Sequence, residues 1–195
     1  MPIAINGSGT VTGISVGGLP DGIVDADMLA ANAVTAGKLA SGVGGKILQV
    51  VQTVKLDTFS STSLSDVDVP GFSVAITPSS SSNKVLVMVN IALSSQSMFV
   101  YGILKRGSTQ IGEADAASNR LRPTLMGFRS NEGTVEHQSF HFLDSPNTTS
   151  ATTYKMQVRC ATSGHLRVNK SYRDTDTVNY DPRVSSTITV MEVAA

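Results

Sequence analysis

The chain has 195 residues, enough for one full domain and an appendage. Its hydrophobic content of 41% excludes a disordered chain, and its formal net charge of zero, from fifteen basic and fifteen acidic residues, excludes the broad positive field that nonspecific nucleic-acid binding needs. Only 15% of residues are charged, and hydroxyl and amide side chains take their place, as in 79–83 and 148–153; such surfaces are common in β-rich fibres and shells.

Residues 1–45 differ from the rest. Met1 is followed by Pro2 without the basic segment and apolar core of a signal peptide, so synthesis in a cytoplasm is expected. No stretch is long enough to cross a bilayer as a helix, and no membrane insertion is expected. The segment lacks aromatic residues and places glycines at 7, 9, 13, 17, 18 and 22, which predicts short extended pieces broken by turns. A weak repeat follows, in which 23–30 aligns with 33–40 at an offset of ten. Each copy has an apolar pair, an N-cap candidate (Asp25 or Thr35) and a Leu-Ala pair one turn later. Such turns are too short to persist alone. Ile23, Val24, Met28, Leu29, Val34 and Leu39 are therefore expected to find cover on partner chains, the plain alternative being a flexible tail. Gly42, Gly44 and Gly45 form a hinge before a second domain, giving an attachment and oligomerisation segment at 1–45 and a β domain at 46–195.

From Lys46 the period of the apolar residues becomes two. Leu48, Val50 and Val54 share one face of a first strand, with Gln52 the exception, and Phe72, Val74 and Ile76 mark a second that ends at Pro78. Residues 84–93 are apolar on nearly both faces, which predicts a central strand covered on each side by an opposing sheet and a subunit contact. Phe99, Tyr101 and Ile103 alternate in a fourth strand, and 109–112 can return as a hairpin. Residues 113–133 read as an exposed loop with a short strand near 124–128. Further strands are expected at 134–143, 154–160, 165–169 and 187–193, with a polar excursion at 170–183. Roughly eight strands without intervening helices predict an all-β, two-sheet sandwich, with the jelly roll one compatible topology.

The chemistry-bearing residues are sparse. His137 and His141 stand about 13 Å apart on an extended strand, too far for one tetrahedral zinc. Cys160 falls in the alternating run Tyr154, Met156, Val158 and reads as a core thiol. The Asp66/Asp68 and Asp174/Asp176 pairs lack the oxygen-rich frame of a calcium loop. No H-E-x-x-H or P-loop pattern occurs, and the glycine-rich opening, which includes Gly13-Ile14-Ser15-Val16-Gly17, lacks the strand, turn and helix context such a motif needs, so neither metal, cofactor nor catalytic residue is expected. Arg120, Arg122 and Arg129, with Tyr172, Arg173 and Tyr180, are the recognition candidates of the two polar loops. Nearby Asp115, Glu132, Asp174 and Asp176 allow a plainer reading as solvated loops with local ion pairs.

The junction 44–52 with 57–60, and the segments 83–87, 142–146 and 186–193, resemble a module of structural and fibre-like virion proteins of marine (cyanophage-like) tailed phages. Segments 18–22 and 32–39 resemble the shaft-proximal pieces of such fibres. The resemblance implies a non-enzymatic homotrimer that resides in the virion after assembly in the host cytoplasm and contacts other tail or capsid proteins. A shaft-like part of only 45 residues favours a short fibre or knob presenting its sandwich to a host-surface glycan. The alternative is a decoration or cement protein of the capsid, with a glycan depolymerase a distant third.

Overall fold

A computed structural model describes residues 4–5, 11–12, 29, 33–35, 38, 45–96, 98–129, 133–177 and 179–195, with backbone alone at 4, 5, 11, 12, 98, 128 and 129. The chain divides into two units, Met1–Gly45 and Lys46–Ala195. In the first, β1 (Ala4–Ile5) pairs antiparallel with β2 (Val11–Thr12). There too the Lys38 backbone N–H donates to the Thr35 carbonyl at 2.9 Å.

The second unit contains β3 (Ile47–Lys55), β4 (Phe59–Ser61), β5 (Val67–Ile76), β6 (Lys84–Ser95), β7 (Met98–Arg106), β8 (Thr109–Gln110), β9 (Leu125–Arg129), β10 (Glu136–Asp144), β11 (Thr152–Cys160), β12 (Leu166–Val168) and β13 (Ser186–Val193). All described pairings are antiparallel. They form two sheets. In the first, β6 lies between β10 on one side and β13 followed by β12 on the other, and β3 and β4 flank β13 and β12. In the second the order is β5, β11, β7, then β8 and β9 sharing one edge.

Three strand positions are therefore split in two: β3 with β4, β8 with β9, and β12 with β13. Counting each split pair once leaves eight positions in chain order. The first sheet then runs first, eighth, third, sixth, and the second runs second, seventh, fourth, fifth. That order is a jelly roll, two Greek keys wrapped into a sandwich. The all-β sandwich expected from alternation is what the chain forms.

The core lies between the sheets. Val85, Val87, Val89, Ile91 and Leu93 of β6 face Phe72, Val74 and Ile76 of β5 and Tyr154, Met156, Val158 and Cys160 of β11, all buried. Cys160 is a core thiol, and burial raises its pKa. Gly102 of β7 sits under Leu125, where an added Cβ would come within 2.4 Å of its side chain, so the glycine leaves room for Leu125 to pack over this strand.

Two strands present the face opposite to the one their apolar pattern suggests. Leu48, Val50 and Val54 do share a face, but it is the outer one, and each is about half exposed. The inner face of β3 carries Gln49, Val51, Thr53 and Lys55. Physically, this strand looks across the open side of the sandwich at the unpaired edge of β5, whose carbonyls need donors. Gln49 Nε2 donates to the Thr77 carbonyl at 2.8 Å, Thr53 Oγ1 to Ser73 at 2.8 Å, and Lys55 Nζ to Pro70 at 2.7 Å. On β7, Val100 and Leu104 take the core, while Phe99, Tyr101 and Ile103 face outward. Ile103 is nevertheless buried, in a recess walled by the 111–124 excursion.

Two polar nodes seal the fold. Asn169, fully buried with φ +63°, stands where β12 ends and the excursion toward β13 begins. Its Nδ2 donates to the Lys55 and Asp57 carbonyls at 2.8 and 2.9 Å, and its Oδ1 accepts from Ser186 Oγ at 2.6 Å. Ser186 Oγ in turn accepts the Ala92 N–H at 2.9 Å. One side chain thus stitches β3, β6 and β13 across the break. The second node is Glu192, on the core face of β13. Its carboxylate accepts from Ser79 N–H, Ser79 Oγ, Asn83 Nδ2 and Gln49 Nε2 at 2.5–2.7 Å. Burial alone would raise its pKa; the donors from Asn83, Gln49 and Ser79 together outweigh that and bring it down to about 2.

Replacing Asn169 with alanine leaves the buried Lys55 carbonyl, the part-buried Asp57 carbonyl and the Ser186 hydroxyl without their partner and puts a Cβ-bearing residue with no local side-chain bond at positive φ. It is expected to cost at least about 3 kcal/mol in urea unfolding. Asn169→Gly should cost about 1 kcal/mol less than Asn169→Ala, which separates the backbone share from the hydrogen bonds. Glu192→Gln should lower stability at pH 7 by about 1–3 kcal/mol, since its amide hydrogens oppose donors. Because the folded pKa of Glu192 lies below its ordinary value of 4.5, its contribution is complete above that value and fades as pH falls toward 2. Wild-type and variant stabilities should therefore converge between pH 4.5 and 2, which unfolding curves at pH 7, 4 and 3 will measure.

Candidate functional site

Five of the six recognition candidates fall in two excursions from split strand positions, and Arg129 lies at the end of β9. The first excursion, 111–124, leaves between β8 and β9 at the edge of the second sheet. Thr124 bridges the break, its N–H donating to the Gly102 carbonyl at 2.9 Å while its hydroxyl accepts the Leu104 N–H at 2.9 Å. Gly107 and Gly112, at φ +58° and +64°, turn the chain on either side of β8. Arg120 and Arg122 line a recess of about 240 Å³ whose floor is the outer face of the second sheet, including Tyr101, Ile103 and Arg159. Arg122 pairs with Glu113 and also donates to the Ala114 carbonyl at 3.2 Å. Asp66 enters from the neighbouring loop, 3.8 Å from Arg159. The recess therefore holds three guanidinium groups and two carboxylates around an aromatic ring. That set can hydrogen-bond neutral polyols and carboxylated sugars alike.

The second excursion, 170–183, rises from within the first sheet. Ser94, on the outer face of β6, is buried beneath it and donates through Oγ to the Lys170 carbonyl at 2.7 Å. The loop is organised by carboxylates. Asp181 accepts from Arg173 Nε at 2.9 Å and Ser171 Oγ at 2.8 Å, and also from Thr175 Oγ1. The Arg173 and Thr175 bonds, against the opposing effect of burial, hold its pKa well below the usual carboxylate range. Asp174 accepts from Lys170 Nζ at 2.9 Å and Arg183 at 2.7 Å, and the Lys170 bond leads the causes that lower its pKa. The loop encloses a cavity of about 630 Å³ lined by 174–177 and 179–183.

Within this loop the three candidates differ in what they offer a ligand. Tyr180 is 68% exposed and presents its ring. Arg173 is tied to Asp181 and buttresses the loop. Tyr172 is half-buried, with the Arg167 guanidinium 5.4 Å above its ring and His165 at 6.0 Å. That stacking spends its aromatic face internally. Arg129 ends β9, where its backbone pairs with Met98. The sequence-based selection overlooked Arg159, Tyr101 and Asp181. Arg159 shares the outward parity of Lys155 and Gln157 on β11, a signal that places it on the wet face of the second sheet.

Of the oligomerisation candidates, Leu29 and Val34 are exposed in their unit, at 44% and 48%. Ile23, Val24, Met28 and Leu39 lie outside the described residues. His137 and His141 both point from the outer face of β10, where His137 Nδ1 lies 2.5 Å from Asn90 Oδ1. Among the described residues no cluster of three His, Cys, Asp or Glu side chains is placed to hold a metal ion.

No protein-family model matches the chain, and no curated protein sequence does. Solved structures similar over 75% of this chain include T=1 particles derived from infectious bursal virus, at 14% identity and a TM-score of 0.39 over 36% of that chain. A mutant VP2 protein of infectious bursal disease virus, in derived T=1 particles, matches at 16% identity and 0.38 over 36% of its chain. The VP2 subviral particle of infectious bursal disease virus matches at 15% and 0.38 over 38% of its chain. This chain thus spans little more than a third of the proteins it is similar to, and the likeness is one of fold alone.

Proposed function

We propose that the chain is a non-enzymatic structural protein of a tailed-phage virion, a short trimeric fibre or knob. Its N-terminal 45 residues would attach to the particle and to sister chains, and its sandwich would meet the host surface. The observation that carries this reading is the jelly roll with two polar excursions displayed from split strand positions, one presenting Arg120 and Arg122 and the other Tyr180. Jelly rolls serve both as viral shell domains and as lectins, so the fold suits particle assembly and glycan contact alike. The resemblance of 44–52, 57–60, 83–87, 142–146 and 186–193 to phage structural modules supports the virion and the trimer. Three weak sites on one axis would gain avidity without high affinity at any one of them.

A second reading is a capsid decoration protein whose broad faces bridge coat subunits. It is favoured by the nearly uncharged outer face of the first sheet, an unusual surface for a domain bathed in solvent. Copy number separates the two. Quantitative mass spectrometry with localisation in intact particles is expected to find a few trimers at the tail or one vertex, whereas hundreds of copies over the head would establish decoration. For the receptor contact, purified chain should inhibit adsorption of the parent phage to its host. Tyr180→Ala and Arg120→Ala should each raise the concentration for half inhibition about tenfold. Full inhibition by both variants would remove host contact from these loops.

A further inference from the structure

We propose that the outer face of the first sheet, over β3, β13, the first half of β6 and β10, is an interface between copies of this chain. This contact is separate from the N-terminal segment invoked above and does not rest on it.

The argument begins with side-chain parity. The cross-strand row Val50, Met191, Leu86 and Leu143 runs across all four strands on the outer face. Val50 and Leu143 are 55% and 49% exposed at its two ends. Leu48 and Val54 extend the apolar surface along β3. Of all the side chains these strands turn outward in this region, Lys84, at the margin, is the one with a formal charge; the rest are aliphatic, Met, Thr, Ser, Asn, Gln or His.

The second sheet is the internal control. Its outer face carries Asp68, Lys105, Lys155 and Arg159, with Lys155 paired to Asp68 at 2.7 Å. One protein thus builds an ordinary solvated face and, on its other side, a face stripped of charge. Depletion of charge, a higher apolar share and the presence of Met mark the buried centre of an interface, above all between identical chains.

Extent and complementarity point to a second copy as the occupant. Four strands about 4.8 Å apart, each about eight residues long at about 3.4 Å per residue, project roughly 500 Å². Side-chain relief raises the accessible area toward the about 800 Å² per partner of a standard interface. An uncharged face has no like charges to set against its own image, so it is self-complementary, whereas a charged partner would find nothing to pair with. The far end of this sheet is already buried within the chain, at Ala92 and at Ser94 beneath the 170–183 excursion, whereas Asn90, Met88 and Leu86 further along β6 keep partial exposure.

Thiol protection in the full-length chain tests this directly, because the native Cys160 is buried. Val50→Cys reports the proposed interface and Ser73→Cys, exposed on β5, reports the opposite sheet. As protein concentration rises, maleimide labelling of Val50→Cys is expected to slow at least tenfold relative to Ser73→Cys, together with a rise in mass by analytical ultracentrifugation. Adding Val50→Asp and Leu143→Asp to a Leu48→Cys reporter should move the midpoint of protection at least about 100-fold higher, as two carboxylates would be buried unpaired. Equal labelling of Val50→Cys and Ser73→Cys at every concentration overturns the interface, even in a trimer held by its first 45 residues. Protection in a particle of monomeric mass overturns it too, because the cover would then come from the same chain.

Discussion

The inner face of β3 is a row of donors, and the orientation of the first sheet follows from it. Gln49, Thr53 and Lys55 reach the carbonyls of Thr77, Ser73 and Pro70 along the unpaired edge of β5. Those carbonyls lie where the two sheets part, the Pro70 bond part-buried and the Ser73 and Thr77 bonds exposed. Had Leu48, Val50 and Val54 turned inward, they would have buried more apolar area but left this edge unsatisfied. A net hydrogen bond contributes about 0.5–1.5 kcal/mol, and one from a charged donor such as Lys55 about 1.5–3 kcal/mol, so the three together are at least comparable to the gain from burying one aliphatic side chain. Glu192 works in the same seam, binding Gln49 from β3 to the 79–83 turn. Polar residues therefore close the open side of the sandwich, and the aliphatic residues of β3 are left on its exterior.

Much of this was legible in the alternation. Strands at 67–76, 84–95, 152–160 and 186–193 and the short β9 could all be placed, because in each a single parity is clearly apolar or the run is long. What alternation could not supply was the facing of strands apolar on both parities. Residues 98–104 offer Phe99, Tyr101 and Ile103 against Val100 and Leu104; the excursion 111–124 walls a recess over Tyr101 and Ile103, while Phe99 stays 45% exposed. The buried polar residues were legible in principle. Glu192 follows Ile188 and Val190 on the core parity, and Asp144 follows Phe140 and Phe142. Asp144 is held by Arg106 at 2.8 Å and by the buried Tyr154 hydroxyl at 2.7 Å. A charged residue in phase with a core stripe is a signal of a satisfied buried node. For the recognition candidates, composition pointed to the loops but not to the partners, since Asp181 and Asp66 meet their arginines only in the folded chain.

The split strands explain why these loops carry chemistry. A jelly roll ordinarily displays its connections at the two ends of the sandwich. Here two longer segments leave from inside strand positions, so they spread over the sheet faces instead. Such an exit breaks a hydrogen-bond ladder, and each break is repaired by a side chain that mimics backbone. Thr124 Oγ1 takes the Leu104 N–H at one break, and Asn169 with Ser186 takes two carbonyls and the Ala92 N–H at the other. With the ladder restored, sheet packing does not depend on the loop's sequence. The excursion between can then vary as contact requires, while its base remains fixed by groups on the strands.

The same arrangement makes the two outer faces unequal. The 111–124 segment roofs part of the second sheet, whose remaining surface is charged and at ease in water. The 170–183 segment roofs only the far end of the first sheet, leaving the region around Val50, Met191, Leu86 and Leu143 bare. A monomer gains nothing from exposing that row, since the donors of β3 could hold the edge of β5 with threonine or lysine on the outer parity. Threonine there would keep the strand propensity and remove the exposed aliphatic surface. The aliphatic choice on the outer parity is therefore not required by the fold of one chain, and it acquires a physical reason when a second chain lies against it.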